Sequence, residues 1–320
     1  MGDGANHALR GLTTGTKNRQ WSIFCLDTDD FFAARRYSLT NNSEPTMVRE
    51  PLNHKSMKLM LEHTRYWASI GWDILHGRSS QGIYVLGYVK SGTNWLCHLL
   101  SGILGIPILE AWTIRLPALH PCIYHIHRFI PIESVRKRTI YIMRDGRDTL
   151  VSYYFHIVRD QGKDKQRAER YIGRPLTFDN IRENLPDFIR YIQNHRYSSV
   201  DWRTHIETWQ RHRERYVVIR YEDMLADTAG EVSRGIEELT GKRPDAERVR
   251  SIVQQQDFRT VTKRERGLQD NNEFMRKGIN GDWRNHFSRA AAEKFNEYAG
   301  SLLFDLNYES DPDWTSKVPE

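Results

Sequence analysis

The octapeptide 82–89, Gly-Ile-Tyr-Val-Leu-Gly-Tyr-Val, constrains this chain more than any other stretch, because it runs straight into Lys90, Ser91, Gly92, Thr93, Asn94 and Trp95. Its β-branched and aromatic residues predict a strand. Beyond the turn, Trp95, Leu96, Leu99, Leu100 and Ile103 recur at helical spacing and predict a helix with one apolar face. A strand, a glycine-bearing turn and a helix in direct succession have the physical make-up of an anion site. Turn N–H groups face inward, and the positive end of the helix dipole adds to them. Gly87 and Gly92 have the separation of the triphosphate P-loop, G-x-x-x-x-G-K-[ST], but Thr93 and Asn94 stand where that motif needs Lys and Ser or Thr. The triphosphate motif therefore fails as written, while Lys90 still supplies a mobile cation and Ser91 and Thr93 supply hydroxyls. Taken alone, the segment also fits a plain strand-to-helix turn with an exposed lysine.

The same alternation continues along the chain. Short β-rich runs at 122–127, 139–143 and 216–221 are separated by helical segments at about 146–160, 184–194, 202–214 and 228–240, and a last helix is predicted from 290 to 303. The polar stretch 160–180 reads as a lid-like loop, and the charged 263–281 as a loop able to carry ligand groups. An earlier helix is predicted at 56–74. The pattern predicts an α/β fold, a single domain with a central, mostly parallel sheet flanked by helices. Residues 1–55 read as an N-terminal extension and covering segment, and 56–320 as the main domain.

Composition excludes several classes. With 39% hydrophobic and 28% charged residues the chain reads as an ordinary globular protein, and its net charge of +6 favours an anionic partner. No secretory leader or run of 18 apolar residues is evident, which predicts a soluble, cytoplasmic protein with no membrane contact. Cys25, Cys97 and Cys122 have no metal-site spacing and read as small buried or partly buried thiols. His120, His125 and His127 form no independent metal signature, so no metal is expected. No RNA-binding motif or long basic and aromatic stripe is present, which argues against a nucleic-acid partner.

Two further segments carry charge in suggestive places. Arg144, Asp145, Gly146, Arg147 and Asp148 follow the strand at 139–143, with Ser152 two helical turns on. Farther along come Arg276, Lys277, Gly278, Ile279, Asn280, Gly281, Asp282 and Trp283. By itself the first of these reads as a local ion-pair network.

Together with residues 88–95, these segments resemble the motifs of the sulfotransferases that use 3'-phosphoadenosine-5'-phosphosulfate (PAPS). The first family motif, Y-P-K-S-G-T-x-W, is met by Tyr88 to Trp95 with Val89 for proline. The second is met by Arg144, Arg147, Asp148 and Ser152, and the third, R-K-G-x-x-G-D-W, by 276–283. The resemblance covers about 82–303. It implies that Lys90, Ser91, Gly92 and Thr93 hold the 5'-phosphosulfate, that Asn94 also belongs to the cofactor site, and that Arg144, Ser152, Arg276, Lys277 and Gly278 bind the 3'-phosphate. Trp95, Tyr221 and Phe258 would pack on adenine, although an indole or phenol at these positions also fits an ordinary core. In the segment of Phe258, Gln256 and Asp257 replace the family's Thr-Ser pair.

The resemblance further implies in-line transfer of a sulfuryl group to a hydroxyl or amine, with release of 3'-phosphoadenosine-5'-phosphate (PAP). Lys90 would stabilise the leaving phosphate and His127 would be the general base. His125 stands where the family has lysine; it shapes the acceptor site or partly replaces that lysine. Trp112, His120, His125, Phe129 and Tyr154 are the candidates to line a pocket for a phenol, steroid, alkaloid or other small metabolite. Near 284–293 the family's dimer motif is altered, with Ser288 and Arg289 in place of Thr-Val, so monomer and homodimer both remain open. The competing readings are a P-loop nucleotide-dependent kinase and a non-catalytic module that binds adenosine nucleotides.

Overall fold

The computed structural model describes residues 21–26, 34–39, 46–48, 82–109, 121–129, 137–194 and 201–320. The predicted helix at 56–74, Trp112 and His120 lie outside the described residues. The chain divides into two compact units, 1–61 and 62–320. In the first, β1 (Trp21–Leu26), β2 (Ala34–Leu39) and β3 (Thr46–Val48) form an antiparallel sheet in that order.

The second unit is built on β4 (Ile83–Leu86), β5 (Ile108–Leu109), β6 (Ile123–Ile126), β7 (Thr139–Met143) and β8 (Val217–Arg220). Their order is β5-β6-β4-β7-β8 and every pairing is parallel. The α/β reading with a central parallel sheet therefore holds. Strands in such a sheet are covered on both faces, and β4 and β7 are buried at every residue.

Side-chain alternation splits the interior in two. Tyr84, Leu86, Tyr124, Tyr141 and Met143 point into one core, and Ile83, Val85, Ile123, Ile140 and Ile142 into the other. The aliphatic core is closed by α1 (Thr93–Leu104), whose Leu96, Leu99, Leu100 and Ile103 form the expected stripe. The aromatic core is closed on the opposite face by α2 (Gly146–Asp160), which buries Val151, Tyr154, Phe155 and Val158.

Three expectations change in detail. The stretch 160–180 is not all loop, because α3 (Lys163–Ile172) occupies its first half. The helix expected from 184 begins earlier, as α4 (Ile181–Asn194), with Pro186 inside it. The next, α5 (Trp202–Gln210), stops short of 214. A short α6 (Tyr221–Ala226) follows β8 at once, and the helix predicted at 228–240 comes next as α7 (Thr228–Thr240). Then come α8 (Ala246–Gln255), α9 (Phe258–Thr262) and the terminal α10 (Arg289–Asp305).

Parallel strands present all their carboxyl ends on one edge, where an open α/β sheet holds its ligands. Gly87, His127, Arg144 and Tyr221 are the first residues beyond β4, β6, β7 and β8.

Candidate functional site

The turn after β4 is unusual in its backbone. Lys90 takes a left-handed φ of 67° and Gly92 one of 96°. Non-glycine residues seldom occupy that region, and those that do cluster at functional sites. Gly92 caps α1 with no side-chain hydrogen bond, so the first-turn N–H groups of the helix are not taken by a cap. Ser91 is buried and its Oγ has no partner. Thr93 is buried beside it, while Asn94 and Trp95 are half-buried.

Lys90 sits among cations. Burial, then Arg159 and Arg144, with Asp160 acting the other way and Arg276 adding to the trend, bring its pKa down to about 7. Its Nζ lies 4.2 Å from the ring centroid of Phe274, an exposed aromatic in the 263–281 loop. A basic group so placed gains stability from an anion more than from water.

Arg144 ties the three motif segments together. Its Nη1 donates to the Lys90 carbonyl at 3.2 Å and its Nη2 to the Ile279 carbonyl at 3.1 Å, while the guanidinium stacks on Tyr221 at 4.2 Å. Tyr221 opens α6 and does not lie within the strand. Its ring meets Trp95 edge-on at 6.0 Å. Asp148 completes the clasp by accepting from the main-chain N–H of Gly281 at 2.6 Å and of Trp283 at 2.9 Å. Ser152 is half-buried one turn farther along α2.

The third segment is neutralised internally. Arg276 and Lys277 both donate to the carboxylate of Asp282, which is buried; these partners and His286 hold that carboxyl far below its usual range despite the opposing cost of burial. Gly278 has φ 67°, and a Cβ there would stand 2.4 Å from the ring of Phe258, so glycine is what lets this backbone press on that buried aromatic. Arg264 shapes the loop from inside by donating to the carbonyls of Leu268 (2.8 Å), Met275 (2.6 Å) and Arg276 (2.9 Å).

Arg147 has a different role from its neighbour Arg144. It is fully buried, donates to Asp145, Glu309 and the Tyr308 carbonyl, and stacks on Trp283 and Trp314. It fastens the C-terminal segment to the start of α2.

On the other side of the phosphate loop, His127 donates Nδ1–H to the Gly87 carbonyl at 2.8 Å. That bond assigns the proton to Nδ1 and leaves Nε2 as a free acceptor in the neutral ring. Burial keeps the ring neutral, lowering its pKa; the Gly87 bond opposes this and the charge of Lys90 adds to it. His125 places Nε2 2.8 Å from Thr93 Oγ1, and its ring meets that of His127 edge-on at 4.8 Å.

Behind them lies His205, which the linear sequence did not single out. It is fully buried, bonds Tyr141 Oη through Nδ1 at 2.9 Å and packs on Phe129 at 4.7 Å. Phe129 is thus beside His205. Tyr154, expected to line a pocket, is instead fully buried with its hydroxyl satisfied by Thr177, Asn180 and Asn184, and so belongs to the core. Cys97 and Cys122 are buried. Among the described residues there is no metal-ligand cluster, and no helix is long and apolar enough to cross a membrane.

A family model described as "Sulfotransferase domain" matches residues 125–307. Human sulfotransferase 2A1 is 25% identical over 268 residues, which is 72% of this chain and 87% of that protein. Mouse sulfotransferase 2B1 is 30% identical over 256 residues, 67% of this chain and 68% of that protein. Among solved structures, mouse sulfotransferase SULT7A1 complexed with PAP superposes with a TM-score of 0.52 at 21% identity, covering 72% of this chain and 89% of its own. Retinol dehydratase in complex with androsterone and inactive cofactor PAP gives 0.52 at 16%, covering 89% and 93%. These two likenesses speak to the fold, and the matching family model spans more than half of the sequence. The chain belongs to the sulfotransferase family and is a sulfuryl-transfer enzyme.

Proposed function

We propose that this enzyme takes its sulfuryl group from PAPS and transfers it by in-line displacement to a hydroxyl or amine of a small-molecule acceptor, releasing PAP. The observation that carries this reading is Arg144, whose one guanidinium bridges the phosphate loop and the 276–283 segment. A doubly anionic nucleotide needs cations at two separated points, and Lys90 and the Arg144–Arg276–Lys277 group supply them.

Lys90 with Ser91, Gly92, Thr93 and Asn94 would take the 5' end, Lys90 offsetting charge on the bridging oxygen. Arg144, Ser152, Arg276, Lys277 and Gly278 would take the 3'-phosphate, which must compete with Asp282 for two of these cations. Trp95, Tyr221 and Phe258 would enclose adenine. His127, with its Nε2 unprotonated, would draw the proton from the acceptor as sulfur is attacked.

The PAP-bound state of the solved neighbours agrees with this donor. The aromatic ring of Phe129, packed on His205, suits a phenol, steroid, alkaloid or other small metabolite as acceptor. We place the enzyme in the cytoplasm, without nucleic-acid, membrane or metal partners, as a monomer or homodimer. We further assign residues 1–55 as a covering extension and 56–320 as the sulfotransferase domain. A kinase reading is disfavoured, since Thr93 stands where a triphosphate loop needs lysine. The test supplies PAPS and ATP separately with an acceptor panel and reads product mass. A sulfated product with PAPS supports the proposal; a phosphorylated product with ATP, or PAP binding without turnover, overturns it.

A further inference from the structure

His125 lies at a junction that neither of its sequence readings describes. Its Nε2 is 2.8 Å from Oγ1 of the buried Thr93, in the phosphate loop. Its ring abuts His127 edge-on. His127 in turn donates to the carbonyl of Gly87. Gly87 closes the circuit, since a Cβ there would stand 2.8 Å from Thr93 Cγ2 and 2.7 Å from the Ile142 carbonyl, so the threonine methyl already fills that space. Gly87, His127, His125 and Thr93 thus form a ring of four contacts linking the first turn of α1 to the end of β6. The register agrees, because His125 is opposite Val85 on the neighbouring parallel strand.

We propose that His125 is a positioning residue, whose Nε2–H donates to Thr93 Oγ1 and so leaves the threonine hydroxyl proton free to point at an oxygen of the donor's phosphosulfate group. This rests on the reading of PAPS as donor. A threonine hydroxyl has one proton and two lone pairs. If it donated to His125 it would offer the donor only lone pairs, which repel an anion. With His125 as donor, the same hydroxyl becomes a directed hydrogen-bond donor. Burial, followed by the nearby His127 and His98, holds His125 to a pKa of about 3, so it meets Thr93 as a neutral ring. It therefore does not replace the charge of the family lysine.

The test is a double-mutant cycle read as kcat/KM for PAPS, with wild-type PAP binding measured by calorimetry. H125L and T93V should each lower kcat/KM by about tenfold, the scale of one hydrogen bond. Together they should lower it no further, because each breaks the same contact. H125Q, whose amide nitrogen reaches as far as Nε2, should recover activity to within about twofold, whereas H125N, too short to reach, should not. Rescue by the long amide alone is what general packing damage would not produce, and the polar pair keeps the comparison usable if H125L fails to fold. Multiplied losses in the double variant, or equal loss in H125Q and H125N, would overturn the assignment. If the wild-type protein neither binds PAP nor consumes PAPS, the donor reading fails instead.

Discussion

The guanidinium of Arg144 lies 4.2 Å over the ring of Tyr221 while its nitrogens reach the carbonyls of Lys90 and Ile279. One planar group thereby spans a stack and two main-chain acceptors, a task that its fork shape permits and an ammonium does not. Arg144→Lys should weaken PAP binding by roughly 1.5–3 kcal/mol, the range for hydrogen bonds to charged groups. Calorimetric titration checks this, and an unchanged affinity would remove Arg144 from the donor site.

Lys90 should make donor binding depend on pH. With its pKa brought to about 7, the free enzyme loses this charge as pH rises through neutrality, whereas a bound anion favours the charged form. PAP affinity should therefore fall between pH 6.5 and 8.5, with proton uptake on binding at the upper end. Titrations in buffers of different ionisation enthalpy measure that uptake. Lys90→Ala should cost about 10²–10³ in kcat and flatten the pH dependence.

His127→Ala should lower kcat by about 10²–10⁴ and leave PAP affinity near that of the wild type. Its pKa is depressed, chiefly by burial. Acidification protonates it only below the ordinary histidine value of about 6.5, so the acid limb of the kcat profile should lie beneath that pH. A limb centred above it would point to another base.

Asp282 holds both Arg276 and Lys277. Asp282→Asn removes one side of a buried cluster and leaves two cations crowded, which should destabilise the protein by about 3–5 kcal/mol. Because the native carboxyl titrates below its usual range, its contribution is present above the unfolded carboxylate pKa and is lost only in stronger acid. Urea unfolding of both proteins at pH 7 checks the magnitude.

Much of the architecture could be read from apolar period. The four-residue strand Ile83–Leu86 and the stripe of α1 announce themselves because both are buried as continuous or regularly spaced surface. The helix Lys163–Ile172 does not, since Ala168 is its one buried residue. Ion pairs one turn apart, such as Lys165 with Glu169, accompany it there in place of an apolar seam. Within the candidate site, the motif spacings singled out Lys90, Arg144 and Arg276, which the fold brings near one another. They did not disclose that Asp282 already occupies Arg276, that Arg264 props the loop or that His205 stands behind the histidines. Asp282 and Arg264 find their partners within one irregular loop, where no helical or strand period marks who meets whom, and His205 reaches Tyr141 only when distant segments fold together. Tyr154 misled for the converse reason: a phenol looks like pocket lining until its hydroxyl is found satisfied by Asn180 and Asn184.

The hydrogen bonds from Gly281 and Trp283 to Asp148 join residues 133 and 135 positions apart. A polypeptide emerging from the ribosome exposes the helix bearing Asp148 long before its partners have been synthesised, and closing so wide a loop is among the slower steps of folding. The donor site proposed above is therefore absent from a half-made chain. On the proposed reading, nucleotide would protect this enzyme against unfolding or proteolysis only after translation has passed Trp283, so ligand rescue of a misfolding variant would act on the finished polypeptide.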